Sequence, residues 1–177
     1  MHKYHEEGKA KIFSILLYDV NDGNLCKVID DEHYWRRLNA ISLSNIAVIY
    51  LPSWHTDSKR VKYNNEIEKI FNIENRLGKS VILVFQLDKN NNILADYRYF
   101  IRSTRKEDIY LEIKGFFEAI SNALEHINQE NEQNYPELFH LAKINIRIFE
   151  IKGLVKNVYN IPLTILAVLS GIKSFIP

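Results

Sequence analysis

The alternation of apolar and polar segments is most informative over residues 45–87. Two near-continuous apolar runs, NIAVIYLPSW and SVILVFQL, flank the polar loop HTDSKRVKYN and the amphipathic segment NEIEKIFNIENRLGK. Apolar runs of this kind on both sides of a helical segment are typical of strands buried on both faces in a parallel βαβ unit. The pattern therefore predicts strand, loop, helix and strand, with the two strands parallel.

The segments on either side of this unit predict further elements. Residues 11–20 are expected to form a strand, and the turn NDGN favours a hairpin with residues 25–29 as its second arm. Asp30 or Asp31 can then cap a helix. The strand in residues 80–87 is expected to be followed by the turn KNNN and an antiparallel strand over residues 93–101. Apolar residues at steps of three and four predict a helix in the 107–127 segment.

The last third of the chain predicts a polar linker, residues 128–134, and then a hydrophobic extension, residues 135–177. Within the extension, Ile144, Ile146 and Ile148 alternate with polar residues, which favours a strand, although the same segment also fits a helix. The uncharged run 161–172 is shorter than the roughly 18–20 residues that cross a bilayer. It therefore favours a buried or partner-docking segment over a membrane anchor.

Composition narrows the class of protein. The chain of 177 residues has 46% hydrophobic residues and nearly balanced charges, 23 basic against 22 acidic, as expected of one globular domain. No basic stripe stands out, which argues against duplex nucleic acid as a partner. The single Cys26 excludes an internal disulfide and a cysteine-based zinc cluster, and the polar N-terminus lacks the apolar run of a signal peptide. Together these features predict a reducing, cytoplasmic setting.

The candidate chemistry lies where the first apolar run gives way to the helix. A helix placed over residues 63–77 puts Glu66 in its first turn and within its apolar stripe. Ligands of open α/β sheets bind beyond the carboxyl ends of strands, where a partly desolvated carboxylate can act as acid, base or ribose-binding group. The alternative is that Glu66 only favours the positive end of the helix. In the loop, Ser53 can donate to a ligand and Trp54 offers a stacking face.

The runs ISLSNIAVIYLPS, NNEIEKIF and GKSVILVF, within residues 41–85, resemble two related families. These are the Toll/interleukin-receptor (TIR) domain and the nucleoside 2-deoxyribosyltransferase-like fold. The resemblance implies that Glu66 is a catalytic carboxylate acting on the ribose during cleavage of an N-glycosidic bond. It further implies Ser53 as a strand-end contact and Asp57 as a candidate for the acidic partner. NAD or another nucleotide would be the substrate, and no cofactor would be required.

A second interpretation follows from the order of the elements. Strand, helix, strand, helix, strand, strand, helix is also the thioredoxin order, but thioredoxin chemistry needs a CxxC motif or a thiol of low pKa at a helix start. Cys26 has no partner cysteine, so such a domain would be redox-inactive. The alternative function is therefore a non-catalytic interaction module that forms a homo-oligomer or docks a protein partner through its C-terminal segment.

The expected architecture is a three-layer α/β domain over residues 11–127. Its central sheet is expected to be mostly parallel, as in Rossmann-like, flavodoxin-like or TIR-like domains, with a thioredoxin-like sheet as the alternative. A polar tail of residues 1–10 precedes the domain, and the linker and the extension follow it. Between an N-glycosidase or transferase and a binding module, the sequence leaves both functions open.

Overall fold

The computed structural model describes residues 12–19, 21–42, 46–53, 55–73, 78–88, 90, 92–127 and 135–157. Four strands and five helices make up this part of the chain. In chain order they are β1 Ile12–Leu17, α1 Gly23–Ile29, α2 Glu32–Ser42, β2 Ile46–Tyr50, α3 Asp57–Ile70, β3 Val81–Leu87, β4 Ile93–Phe100, α4 Lys106–Ile127 and α5 Tyr135–Asn157. The predicted tail of residues 1–10 and the predicted linker of residues 128–134 lie outside the described residues.

The strands form one mixed sheet in the order β2-β1-β3-β4. β1 and β2 are parallel, with Ile12 opposite Ile46. β3 is antiparallel to β1, with Phe13 opposite Phe85, and β4 is antiparallel to β3. The α/β class is confirmed, whereas the expectation of a mostly parallel sheet is not met, since one strand pair is parallel and two are antiparallel.

The predicted parallel βαβ unit over residues 45–87 is wrong in its pairing. β3 follows β2 and α3 in the chain, but it pairs with β1 and β4 and runs antiparallel to β1. Every residue of β3 is buried. A continuous apolar run reports burial on both faces of a strand, and it is equally compatible with either direction of the strand. The antiparallel pairing of residues 93–101 with residues 80–87 is confirmed.

The predicted hairpin after β1 is replaced by helix α1. The side chain of Asp22 accepts a hydrogen bond from the backbone N–H of Leu25, at 3.0 Å, and so caps the helix. Asp-Gly sequences suit a tight turn, but aspartate is equally good as a helix cap. The buried residues Leu25, Val28 and Ile29 then follow helical spacing.

The predicted strand at Ile144, Ile146 and Ile148 is also wrong, because the whole segment belongs to α5. Ile146 is buried against the core, while Ile144 and Ile148 lie on the opposite side of the helix and are only partly buried. An apolar residue on each side of a helix imitates the alternation of a strand. The helical alternative for this segment, left open by the sequence, is the correct one.

Two hydrophobic clusters lie on the two faces of the sheet. Successive residues of a strand point to opposite faces, so Ile12 and Leu16 of β1 contact one cluster while Phe13 and Ile15 contact the other. The first cluster also includes α1, α2, α4 and α5, and the second includes Tyr63 and Ile67 of α3. No helix in the described part of the chain is long and apolar enough to cross a membrane.

Helix α5 is tied to α4 by a close contact at Gly115. A Cβ atom added at Gly115 would lie 2.6 Å from the Cε2 atom of Phe149. Phe139, Ala142 and Ile146 of α5 are buried in the first cluster. Residues 135–157 therefore contribute to the core, and the chain cannot be cut before α5 without exposing it.

We expect Gly115→Ala to lower the free energy of unfolding by about 1–3 kcal/mol, because the added methyl group overpacks the α4–α5 contact. Gly153→Ala is the matched control, since a Cβ atom at Gly153 meets nothing within 4 Å. That variant should raise the free energy of unfolding by roughly 0.5–1 kcal/mol, the usual gain of alanine over glycine inside a helix. Urea unfolding measures both, and equal effects at the two positions would contradict this packing.

Candidate functional site

Polar side chains from four segments of the chain lie together at the edge of the sheet where strands β1 and β2 end. Because β1 and β2 are parallel, their carboxyl ends meet at this edge, beside α1 and the first half of α3. The residues linked to one another there, called the strand-end cluster below, are Tyr18, Cys26, Asp30, Ser53, Asp57, Arg60 and Asn64. This edge is where the sequence predicted a ligand site.

Tyr18 and Asn64 join β1 to its neighbours. The hydroxyl of Tyr18 donates a hydrogen bond to the carbonyl oxygen of Leu51, at 2.6 Å. The side-chain amide of Asn64 donates to the carbonyl oxygen of Tyr18, at 3.0 Å. Both residues are buried, so these bonds satisfy polar groups that would otherwise be costly in the interior. They attach α3 to the edge of the sheet.

Arg60 is the buried cation of the cluster, with 8% of its surface exposed. Its guanidinium lies 5.9 Å from the centre of the Tyr18 ring, and it donates to the carboxylate of Asp57. Asp57 itself is 74% exposed, so water screens this ion pair and its contribution to stability is small. The Nε of Arg60 is buried and has no hydrogen-bond partner among the described residues.

Ser53 contacts the end of α1. Its backbone N–H donates to one carboxylate oxygen of Asp30, at 3.2 Å, and its hydroxyl donates to the other. Asp30 is the residue that ends α1. The hydroxyl predicted to meet a ligand is therefore engaged in fastening the loop after β2 to α1.

Cys26 is the fourth residue of α1 and is partly buried. Burial raises the pKa of its thiol, the nearby Arg60 acts in the opposite direction, and the carboxylates of Asp22 and Asp30 add to the rise. A thiol with a raised pKa is protonated at neutral pH and is a weak nucleophile. The cluster thus contains a cysteine beside a cation without activating it.

Glu66 lies away from the cluster. Helix α3 begins at Asp57, nine residues earlier, which places Glu66 about 13 Å along the helix axis from its start. Its side chain is 61% exposed, and its carboxylate lies 3.9 Å from the Nζ of Lys62. The expectation that Glu66 occupies the first turn is therefore wrong. Its catalytic role stays a prediction.

The buried face of the helix also differs from the predicted apolar stripe. The helical wheel predicted from the sequence puts Ile70 about 40° from Glu66, within that stripe, whereas its side chain is 62% exposed. On a helical wheel the true face is centred about 110° from Glu66. Its buried or partly buried members are Arg60, Tyr63, Asn64, Ile67 and Phe71.

Of the other predicted ligand contacts, Ser53 and Asp57 both belong to the strand-end cluster, while Trp54 lies outside the described residues. Tyr18, Asp30 and Asn64 of this cluster were not predicted as site residues. Arg60 and Asn64 are four residues apart and continue the helical spacing of Ile67 and Phe71, and this pattern is visible once the helix begins at Asp57.

Neither a metal site nor similarity to known proteins assigns a function to the strand-end cluster. Within the described residues, no group of three or more His, Cys, Asp or Glu side chains is placed to bind a metal ion. The chain matches no protein-family model, no curated protein and no solved structure.

The raised pKa of Cys26 predicts slow alkylation. The rate of reaction with iodoacetamide follows the thiolate fraction, so its pH midpoint in the folded protein should exceed that of the same chain unfolded in guanidinium chloride. Asp30→Asn should lower the midpoint by removing a nearby negative charge, and Arg60→Met should raise it by removing the cation. A midpoint in the folded protein at or below the unfolded value would contradict this description of the thiol.

Proposed function

We propose that this chain is a non-catalytic interaction module with a thioredoxin-like fold. Two features support the fold. The order of strands and helices from β1 to α4 is the thioredoxin order, with two helices rather than one between β1 and β2. The two last strands, β3 and β4, form the antiparallel hairpin that this order requires. Helix α5 is an addition to it.

The observation that carries the non-catalytic assignment is the state of the strand-end cluster. Tyr18, Asn64 and Ser53 direct their polar groups to the chain itself, and so does the carboxylate of Asp57. Redox chemistry at a helix start depends on a thiol of low pKa, whereas burial raises the pKa of Cys26. We therefore interpret the cluster as structural: its hydrogen bonds hold the strand ends, the loop after β2 and helices α1 and α3 together.

Exposed apolar residues on the helices support an interaction role. Leu111 on α4 is 66% exposed, and Ile151 on α5 is 42% exposed. On α5, Ile151 shares its side of the helix with the partly exposed Ile144 and Ile148. Neighbouring exposed apolar residues of this kind form a patch, and contiguous apolar patches are common at protein contacts. Oligomerisation or docking through the C-terminal extension, residues 135–177, stays a prediction, and residues 158–177 of that extension lie outside the described residues.

Cleavage of the N-glycosidic bond of NAD or a nucleoside by Glu66, which the TIR resemblance implies, also stays a prediction. It requires a pocket that encloses the ribose beside the carboxylate. The exposed position of Glu66, with Lys62 as its ion-pair partner, favours the interaction module instead.

We expect the folded protein to turn over neither NAD nor deoxynucleosides. We also expect that it does not accelerate the reduction of insulin disulfides by dithiothreitol above the uncatalysed rate. Chromatographic product analysis and insulin turbidity measure the two activities. Glu66→Gln and Cys26→Ser are the controls, since each removes the group that its chemistry would need. Their thermal unfolding curves should match that of the unchanged chain.

Turnover of NAD that disappears in Glu66→Gln would replace the proposed function with that of an N-glycosidase. Disulfide reduction that disappears in Cys26→Ser would replace it with a redox function. Either result would overturn the non-catalytic assignment, independently of any result on binding.

A further inference from the structure

A surface groove runs between α2 and α4, on the face of the sheet opposite α3. Tyr34 and Leu38 of α2 and Tyr110 of α4 form its apolar floor. Its wall on α2 extends from His33 to Ala40, a length of about 10 Å along the helix axis. The groove is separate from the strand-end cluster, which contributes no residue to it.

The floor of the groove is held in one arrangement by the protein itself. The rings of Tyr34 and Tyr110 meet edge to face, with 4.5 Å between their centres. The hydroxyl of Tyr34 donates to the carbonyl oxygen of Tyr110, and the hydroxyl of Tyr110 donates to the carboxylate of Asp31. A partner that docks there meets a preformed surface, so little conformational entropy is lost on the side of this chain.

The rim of the groove is basic on both sides. Arg37 on α2 and Lys114 on α4 are exposed and line opposite walls. Arg37 forms no ion pair with any described residue. Among those residues Lys114 pairs with Glu118 alone, on its own helix, at 3.5 Å and with both side chains nearly half exposed. Water screens that pair, which leaves Lys114 able to meet another carboxylate.

The acidic side chains of the groove do not offset these cations. Of the described residues that line it, Asp31 is the only acid. The carboxylate of Asp31 accepts hydrogen bonds from the Tyr110 hydroxyl and from the backbone N–H of Tyr34, and it is therefore part of the floor. Leu111, 66% exposed, adds an apolar side chain at the mouth.

We propose that this groove binds an amphipathic helix of a partner protein, with apolar side chains packed on Leu111 and the tyrosine floor and carboxylates paired with Arg37 and Lys114. This inference rests on the proposed function and names the partner class for it. A helix fits because a groove between two helices presents ridges into which a third can pack. The cations on both walls select acidic flanks and steer the approach of such a partner.

The dimensions restrict the contacting part of the partner. A groove about 10 Å long accommodates roughly two helical turns, so two or three apolar side chains at i, i+4 and i+7 can reach the floor. Acidic residues on either side of that stripe would then face Arg37 and Lys114. Few anchors and an open rim are typical of a transient signalling contact of small area.

The test uses the full chain and three fluorescein-labelled peptides of about 15 residues, a length at which designed helices begin to form. The first has a leucine stripe flanked by glutamates, the second has the same leucines flanked by lysines, and the third keeps the glutamates but replaces leucine by serine. Fluorescence anisotropy should show that the first binds at least about tenfold more tightly than the others. Added salt should weaken its binding.

Substitutions then locate the contact. Arg37→Glu and Leu111→Ser should each weaken binding of the acidic peptide about tenfold. Arg37→Glu should also reduce the difference in affinity between the acidic and the basic peptide. Arg36→Glu is the matched control, because it makes the same charge change one residue away and Arg36 does not line the groove but pairs with Glu32. It should change the affinity by less than about twofold.

Three results would overturn the proposal. Equal affinity for the acidic and basic peptides would exclude the charge selection, and equal losses in Arg36→Glu and Arg37→Glu would exclude the groove as the site. Absence of binding by all three peptides would exclude the helical partner. Each of these results leaves the non-catalytic assignment intact, because only the turnover measurements with Glu66→Gln and Cys26→Ser bear on that.

Discussion

The burial of β1 and β3 on both faces is the constraint on which the rest of the structure depends. Every residue of these two central strands is buried, so the sheet needs a helical layer on each side. Helix α3 covers one face, and α1, α2, α4 and α5 contribute to the other. β2 and β4 occupy the edges of the sheet and are correspondingly more exposed.

The uneven division of helices between the two faces explains where the strand-end cluster and the groove between α2 and α4 lie. Among the described residues a single helix, α3, covers one face of the sheet. It is fastened at the strand ends by Asn64 and by Arg60, whose charge is balanced by the Tyr18 ring and Asp57. The polar residues at this edge therefore hold α3, through Asn64 and Arg60, and the end of α1, through Ser53 and Asp30. On the other face several helices contribute to one cluster, and the groove beside Tyr110 lies between two of them, α2 and α4. The groove available to a partner therefore lies on the face of the sheet that is covered by several helices.

Elements whose buried face shows in their own residue spacing could be predicted from the sequence, whereas elements that depend on distant contacts could not. The periodicity of α4 identified that helix to within a residue at its start, because one face of it is buried and the other is in water. In α5, Ile146 faces the core while Ile144 and Ile148 face away, so the helical period is obscured. At Asp22 the same residue type serves a turn or a helix cap, and only the burial of Leu25 and Val28 against α4 and the sheet distinguishes them.

The apolar runs by themselves determined that residues 46–50 and 81–87 are strands and that the chain is an α/β protein, because burial of a strand is written in its own residues. The order and direction of the strands were decided by tertiary pairing, since a run such as VILVFQL is satisfied equally between parallel or antiparallel neighbours. The face of α3 that meets the sheet was decided in the same way. Because the helix already begins at Asp57, Arg60 belongs to it and lies on its buried face, whereas Glu66 is exposed to water. Arg60 contacts the ring of Tyr18, which is far away in the sequence, so this arrangement depends on tertiary structure.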